Sequence, residues 1–136
     1  MQIHFWTKDI NAAIQYYTQT LGFTLTYAQP DGYPYDFCIL TLNEQQVMFG
    51  IPPTELIALE RNDKPLMETI LPRIGQSGPL SIYFTVPDVE AHYTNASEQG
   101  AKILEPLWQT PWGLHQYSLK DMDGQLLTFH GAESDS

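Results

Sequence analysis

The order of secondary-structure signals predicts an α+β protein made of two βαβββ modules whose strands curve around a shared cavity. Three observations carry this. The series strand, helix, three strands occurs twice along the 136 residues. Asp9 and Asp88 hold the same place in each series, 79 residues apart, each ahead of an amphipathic helix. In both halves the strands alternate between an apolar set and a mixed set of side chains. The modules fall at residues 1–51 and 80–131, joined by segment 52–79 and followed by a tail, 132–136.

The first module opens with a strand at about 2–7. A helix from about Asp9 to Gln19 follows, with Ile10, Ala13, Ile14 and Tyr17 on one face and Gly22 at its C-terminal left-handed position. Strands at 23–28, 35–42 and 45–50 come next, turned at Asp31-Gly32 and Asn43-Glu44. The second module repeats this: a strand at 81–86, then a helix from Asp88 with Val89, Tyr93 and Ala96 on its apolar face. Gly100 ends that helix, and strands at 101–106, 114–119 and 125–130 complete the module. Prolines in 52–79 forbid one long helix but leave room for short ones at 54–61 and 65–71. That segment reads first as a connector, with a flap over the cavity as the functional alternative.

Successive strand residues point to opposite faces, so alternation sorts core from lining. Ile3, Phe5, Val47 and Phe49 form the apolar set of the first module, leaving Gln2, His4, Trp6, Gln46, Met48 and Gly50 opposite. Ile82, Phe84, Val86, Leu127 and Phe129 form it in the second, against Ser81, Tyr83, Thr85, Thr128 and His130. A concave, partly apolar wall with a few polar groups explains the mixed set. A half-exposed antiparallel sheet would alternate in the same way.

Acidic residues outnumber basic ones 16 to 6, for a net charge of −10. Nucleic acid and anionic membrane are therefore poor partners, and a neutral or cationic small molecule suits better. The lone Cys38 excludes an intrachain disulfide and multi-cysteine metal sites, and its apolar run makes it a core residue. No apolar run approaches a membrane span of ~20 residues, and the chain opens directly on an alternating strand, so a cytoplasmic protein is expected. The stretch "DMDG" at 121–124 lacks the rest of a calcium loop and reads as a hairpin turn with Gly124 at positive φ. Trp108 and Trp112 fall in an apparent loop, "WQTPWG", where they would stack on a ligand at the cavity mouth or pack beneath the loop. Tyr33 and Tyr35 in "PDGYPY" fall beside it.

Three stretches resemble the glyoxalase/bleomycin-resistance/extradiol-dioxygenase superfamily, also called vicinal oxygen chelate proteins. They are "KDINAAIQYYTQTLGFTL" (8–25), "VPDVEAHYTNASEQGAKI" (86–103) and "PWGLHQYSLKDMDGQLLTF" (111–129). The resemblance implies a homodimer with clefts shared between subunits. It also implies, for the superfamily's enzymes, a divalent metal held from the first and last strands of each module. Those positions are Gln2, Met48, Ser81 and Thr128 here, a set without the His, Asp, Glu or Cys ligands that such metals want. A displaced site built on His4 and His130, with His115 or Glu105 as third ligand, is the alternative, although no carboxylate is expected on the same inward rows.

The expected function follows from that departure. The chain reads as a non-enzymatic binding protein, closest in character to the metal-free bleomycin-resistance group. It would sequester an aromatic or cationic molecule with His4, Trp6, Met48, Tyr83, Trp112, His115, Thr128 and His130, and no cofactor is expected. A lyase, isomerase or dioxygenase using His4 and His130, with a displaced metal or none, is the competing reading. A scaffold with a filled cavity, used only for protein interaction, is a third.

Overall fold

The computed structural model describes residues 2–30, 35–52, 64–76 and 80–132. The first module runs β1 (Ile3–Trp6), α1 (Ile10–Gln15), a π-helical turn (Tyr16–Thr20), β2 (Thr24–Gln29), β3 (Phe37–Leu42) and β4 (Gln45–Gly50). After the short helix α2 (Lys64–Ile70) and a 3₁₀ turn (Leu71–Arg73) comes the second. It runs β5 (Ser81–Thr85), α3 (Val89–Glu98), β6 (Lys102–Gln109), β7 (Leu114–Lys120) and β8 (Leu126–Ala132). Each module forms a four-stranded sheet, in the orders β1-β4-β3-β2 and β5-β8-β7-β6. The first and last strands of each module pair in parallel, and the other pairs are antiparallel. The two sheets are not closed into one barrel.

Local chemistry explains these boundaries. Asp9 and Asp88 cap their helices alike, each accepting the N–H three residues on, Ala12 and Ala91, at 3.0 Å. Gly22 and Gly100 leave the helices at φ +78° and +84°, a conformation that costs a side chain dearly. Asn43 and Glu44 both take positive φ in the two-residue β3–β4 turn, and Gly124 does so in the turn before β8. The helix expected to run evenly from Asp9 to Gln19 instead widens into a π turn after Gln15. There the Tyr16 and Tyr17 hydroxyls reach the other module, donating to the Lys120 carbonyl and to Asp121 Oδ2. The short helix expected at 65–71 is α2, whereas the one at 54–61 and the Asp31-Gly32 turn lie outside the described residues.

One apolar cluster serves both modules. It holds Phe5, Tyr17, Val47 and Phe49 with Phe84, Tyr117, Leu127 and Phe129, and Cys38 is buried within it as expected. Phe23 meets Phe84 edge-on at 5.3 Å between ring centroids. Polar clasps reinforce the junction. The Gln45 amide both donates to the Thr85 carbonyl and accepts the Thr85 N–H, each at 2.8 Å, standing in for a neighbouring strand. Asn95 of α3 donates to the carbonyls of Gln19 and Thr20 at the end of the π turn. Because each sheet turns its apolar face into this cluster, each mixed face turns away from it.

Candidate functional site

The mixed face of the first sheet is an aromatic wall. Strand register sets His4, Met48, Ile39 and Tyr27 in one row across it, and Trp6, Gly50, Phe37 and Gln29 in the next. The His4 ring lies 4.5 Å from Trp6 and 6.1 Å from Phe37, centroid to centroid, and Phe37 meets Tyr27 edge-on at 6.1 Å. Gly50 makes room for this: a Cβ there would stand 2.9 Å from His4 Nε2. Burial lowers the His4 pKa below 6.5, only partly offset by a backbone hydrogen bond, so the imidazole is neutral at neutral pH.

The second sheet presents a polar wall on equivalent rows. Tyr83, Thr128, Ser118 and Glu105 make one row; Thr85, His130, Gln116 and Trp108 make the next. Thr128 and Ser118 share a 2.7 Å hydrogen bond, and Glu105 Oε1 accepts from Gln116 Nε2 at 3.2 Å and from Ser118 Oγ at 3.5 Å. His130 Nε2 lies 3.4 Å from Thr85 Oγ1, and its ring meets Tyr83 edge-on at 5.7 Å. Tyr83 is 55% exposed.

These walls gather most of the residues singled out in the sequence, but not all. His4, Trp6 and Met48 line the first; Tyr83, Thr128 and His130 line the second. No described hydrogen bond or ring contact links the two sets. Thr128 is only 2% exposed and its hydroxyl is committed to Ser118, so within the wall it braces its neighbour and offers no free group. Trp112 is 67% exposed, on the turn between β6 and β7, whereas Trp108 lies within β6 rather than in a loop. His115 does not belong to the wall. It shares the parity of Tyr117 and Leu119 and points to the helix side, where Nδ1 lies 3.4 Å from Glu90 Oε1 of α3. The expectation that no carboxylate joins the inward rows is also corrected. Two bulges in β6, between Ile103 and Glu105 and between Glu105 and Trp108, turn both Glu105 and Trp108 onto the polar wall. Gln116, Ser118 and Phe37 were missed as lining residues. The apolar parity of Tyr117 and Leu119 would have revealed the first two.

The metal positions implied by the resemblance do not fit a divalent ion. Gln2 and Ser81 are exposed at strand starts, Met48 is a soft ligand, and the Thr128 hydroxyl is spent. Among the described residues, no three His, Cys, Asp or Glu side chains converge as a metal site. A cleft of about 320 Å³ lies apart from both walls, where Ile74 and Gly75 approach Thr7–Asp9 and Met122–Asp123. Its Asp9 carboxylate is already engaged as a helix cap.

The fourth histidine, His92, is structural. Its Nε2 donates to the Leu21 carbonyl at 2.6 Å and its Nδ1 accepts from the Tyr117 hydroxyl, which fixes one neutral tautomer between the modules. The ring also lies 4.2 Å from Phe129, and burial pushes its pKa below 6.5. Asp121, which takes the Tyr17 hydroxyl at 2.7 Å and the Asp123 and Gln125 N–H groups at 2.9 Å, is pushed above 3.8, chiefly by burial.

Paired βαβββ modules, each a four-stranded sheet with the same strand order, define the fold class. The sequence matches the Glyoxalase/Bleomycin resistance protein/Dioxygenase superfamily over residues 2–129, and the chain belongs to that superfamily. Solved structures agree on the fold. TioX from Micromonospora sp. ML1 is 24% identical, with a TM-score of 0.74 over 100% of this chain and 98% of that one. A glyoxalase/bleomycin resistance protein/dioxygenase from Nocardioides is 14% identical, with a TM-score of 0.68 over 100% and 84%. A family enzyme from Burkholderia phytofirmans PsJN is 18% identical, with a TM-score of 0.67 over 96% of each chain. No curated protein matches the sequence. No helix among the described residues is long and apolar enough to cross a membrane.

Proposed function

We propose that this protein binds a small aromatic or cationic molecule and sequesters it without catalysis. The observation that carries this is the His4–Trp6–Phe37 ring cluster on the sheet face that turns away from the core. Packing gives those rings no reason to gather there, because the core is complete behind the sheet. Stacking on a flat ligand does. The acidic chain favours a ligand without negative charge. The unsuitable residues at the metal positions support binding over metal chemistry. The aromatic wall of one copy facing the polar wall of a second, in a homodimer, would enclose such a ligand. That pairing accords with the clefts the superfamily resemblance implies.

Tryptophan fluorescence titration with a panel of planar neutral and cationic dyes tests this. Quenching that saturates at low dye concentration, and weakens about tenfold or more in Trp6→Ala, is the expected outcome. A panel that leaves the emission unchanged, in a protein shown to be folded by circular dichroism, contradicts the proposal.

A further inference from the structure

We infer that Glu105 and Trp108 form an organic-cation subsite on the polar wall, one that takes the protonated amine of an aromatic ligand. This rests on the binding reading above. Gln116 and Ser118 both donate to Glu105 Oε1, which holds the carboxylate by one oxygen. Ser118 is itself tied to Thr128, so the holding bonds rest on the sheet and not on a loop. No described residue donates to Oε2, which leaves one acceptor for an incoming N–H. Neither of the described ion pairs, Lys64–Glu68 and His115–Glu90, involves Glu105. Register places Lys102 and Lys120 opposite each other one row along, and both are exposed.

Trp108 supplies the second half of the subsite. Register puts it opposite Gln116, the donor to Glu105, and its exposed indole offers a π face to a cation. The two β6 bulges are what bring an acid and an indole three residues apart onto one face, where regular alternation would separate them. An ammonium N–H donated to the free carboxylate oxygen makes a charge-assisted hydrogen bond, while its charge sits against the indole. A neutral ring gains only stacking here, and an anion is repelled by Glu105. The chemistry selected is therefore an aromatic ammonium ion.

The test compares 9-aminoacridine, a cation at neutral to mildly alkaline pH, with acridine, its neutral relative there. Both are titrated into the wild-type chain and into Glu105→Gln, which keeps the shape and an oxygen for the Gln116 and Ser118 bonds. The wild-type protein should prefer the cation, and Glu105→Gln should weaken it about tenfold while leaving acridine within about twofold. An unchanged cation-to-neutral ratio in Glu105→Gln, with both dyes still bound, overturns this inference alone. If neither dye binds, the inference and the binding reading fall together. Should Glu105→Gln fail to fold, Trp108→Leu carries the test: a loss about threefold greater for the cation than for acridine supports the subsite, and an equal loss for both dyes overturns it.

Discussion

The two modules are one backbone plan carrying two different faces. Asp9 and Asp88 cap their helices with the same bond, and the sheets have the same strand order. Behind each sheet the residues are alike in kind: Val47 and Phe49 in one, Leu127 and Phe129 in the other. In front they diverge position by position. His4 stands where the second module has Tyr83, Trp6 where it has Thr85, Phe37 where it has Gln116, and Tyr27 where it has Glu105. Stability fixes the shared part, so the divergent part is where a binding role is to be tested. A single symmetric ligand would need matching walls; an aromatic wall and a polar, acidic wall suit a ligand with two chemically distinct ends.

Front and back should respond very differently to substitution. Phe49→Ala and Phe129→Ala, both fully buried, should each cost ~3–5 kcal/mol in denaturant unfolding. Trp6→Ala and Tyr83→Ala should cost much less, because these side chains face away from the core. A Tyr83→Ala cost as large as that of Phe129→Ala would show that the polar wall is packed rather than open.

The junction between modules comes next. His92→Phe strands the Leu21 carbonyl, leaves the Tyr117 hydroxyl only its long 3.5 Å bond to the residue 92 carbonyl, and should cost ~1–3 kcal/mol. It should also alter the pH dependence. The folded-state pKa of His92 lies below 6.5, so the unfolded chain binds more protons between the two values. Stability is therefore full above about 6.5 and declines as pH falls towards the folded value. Urea midpoints measured across that range should flatten in His92→Phe. Asp121 acts with the opposite sign: its raised pKa makes its contribution most favourable below 3.8, lost as pH rises through the folded value.

Two glycines give the sharpest contrast. A Cβ at Gly131 would stand 2.3 Å from the Val86 carbonyl oxygen, which is backbone and fixed, so Gly131→Ala should cost about 1–3 kcal/mol. A Cβ at Gly50 would crowd only the tip of His4, at 2.9 Å from Nε2, with Trp6 Cζ3 at an ordinary 3.7 Å, and the His4 side chain can rotate away. Gly50→Ala should leave the melting temperature within a few degrees yet weaken dye binding, because it displaces the His4 ring from Trp6. Equal losses of stability in the two variants would show that His4 is as rigidly held as the backbone.

Much of this architecture could be read from the sequence because it depends on local chemistry. Helix caps, positive-φ glycines and two-residue turns act over a few residues, and alternation reports a face directly. The wall residues on β1, β4, β5 and β8 were legible for that reason. Where alternation is broken, the reading failed. The bulges in β6 hid the placement of Glu105, named only as a third ligand of a displaced site, and of Trp108, read as a loop residue, since a bulge shifts parity without a composition signal. His115 was drawn to the wall by its chemistry although its parity with Tyr117 and Leu119 puts it on the helix side. The π turn at Tyr16–Thr20 depends on partners more than 100 residues away, Lys120 and Asp121, which no local pattern contains. His92 was likewise invisible, because its role is a junction between modules.

The central claim is that these walls bind a ligand rather than hold a catalytic metal. Elemental analysis of the chain, purified without chelator or metal-affinity resin and then incubated with Ni, Zn, Fe or Mn and desalted, tests it most directly alongside His4→Ala and His130→Ala. No stoichiometric metal is expected in any of the three proteins, with dye binding weakened but retained in the variants. Stoichiometric metal in the wild-type chain, lost in either variant, would contradict it and make His4 and His130 ligands of a metal site.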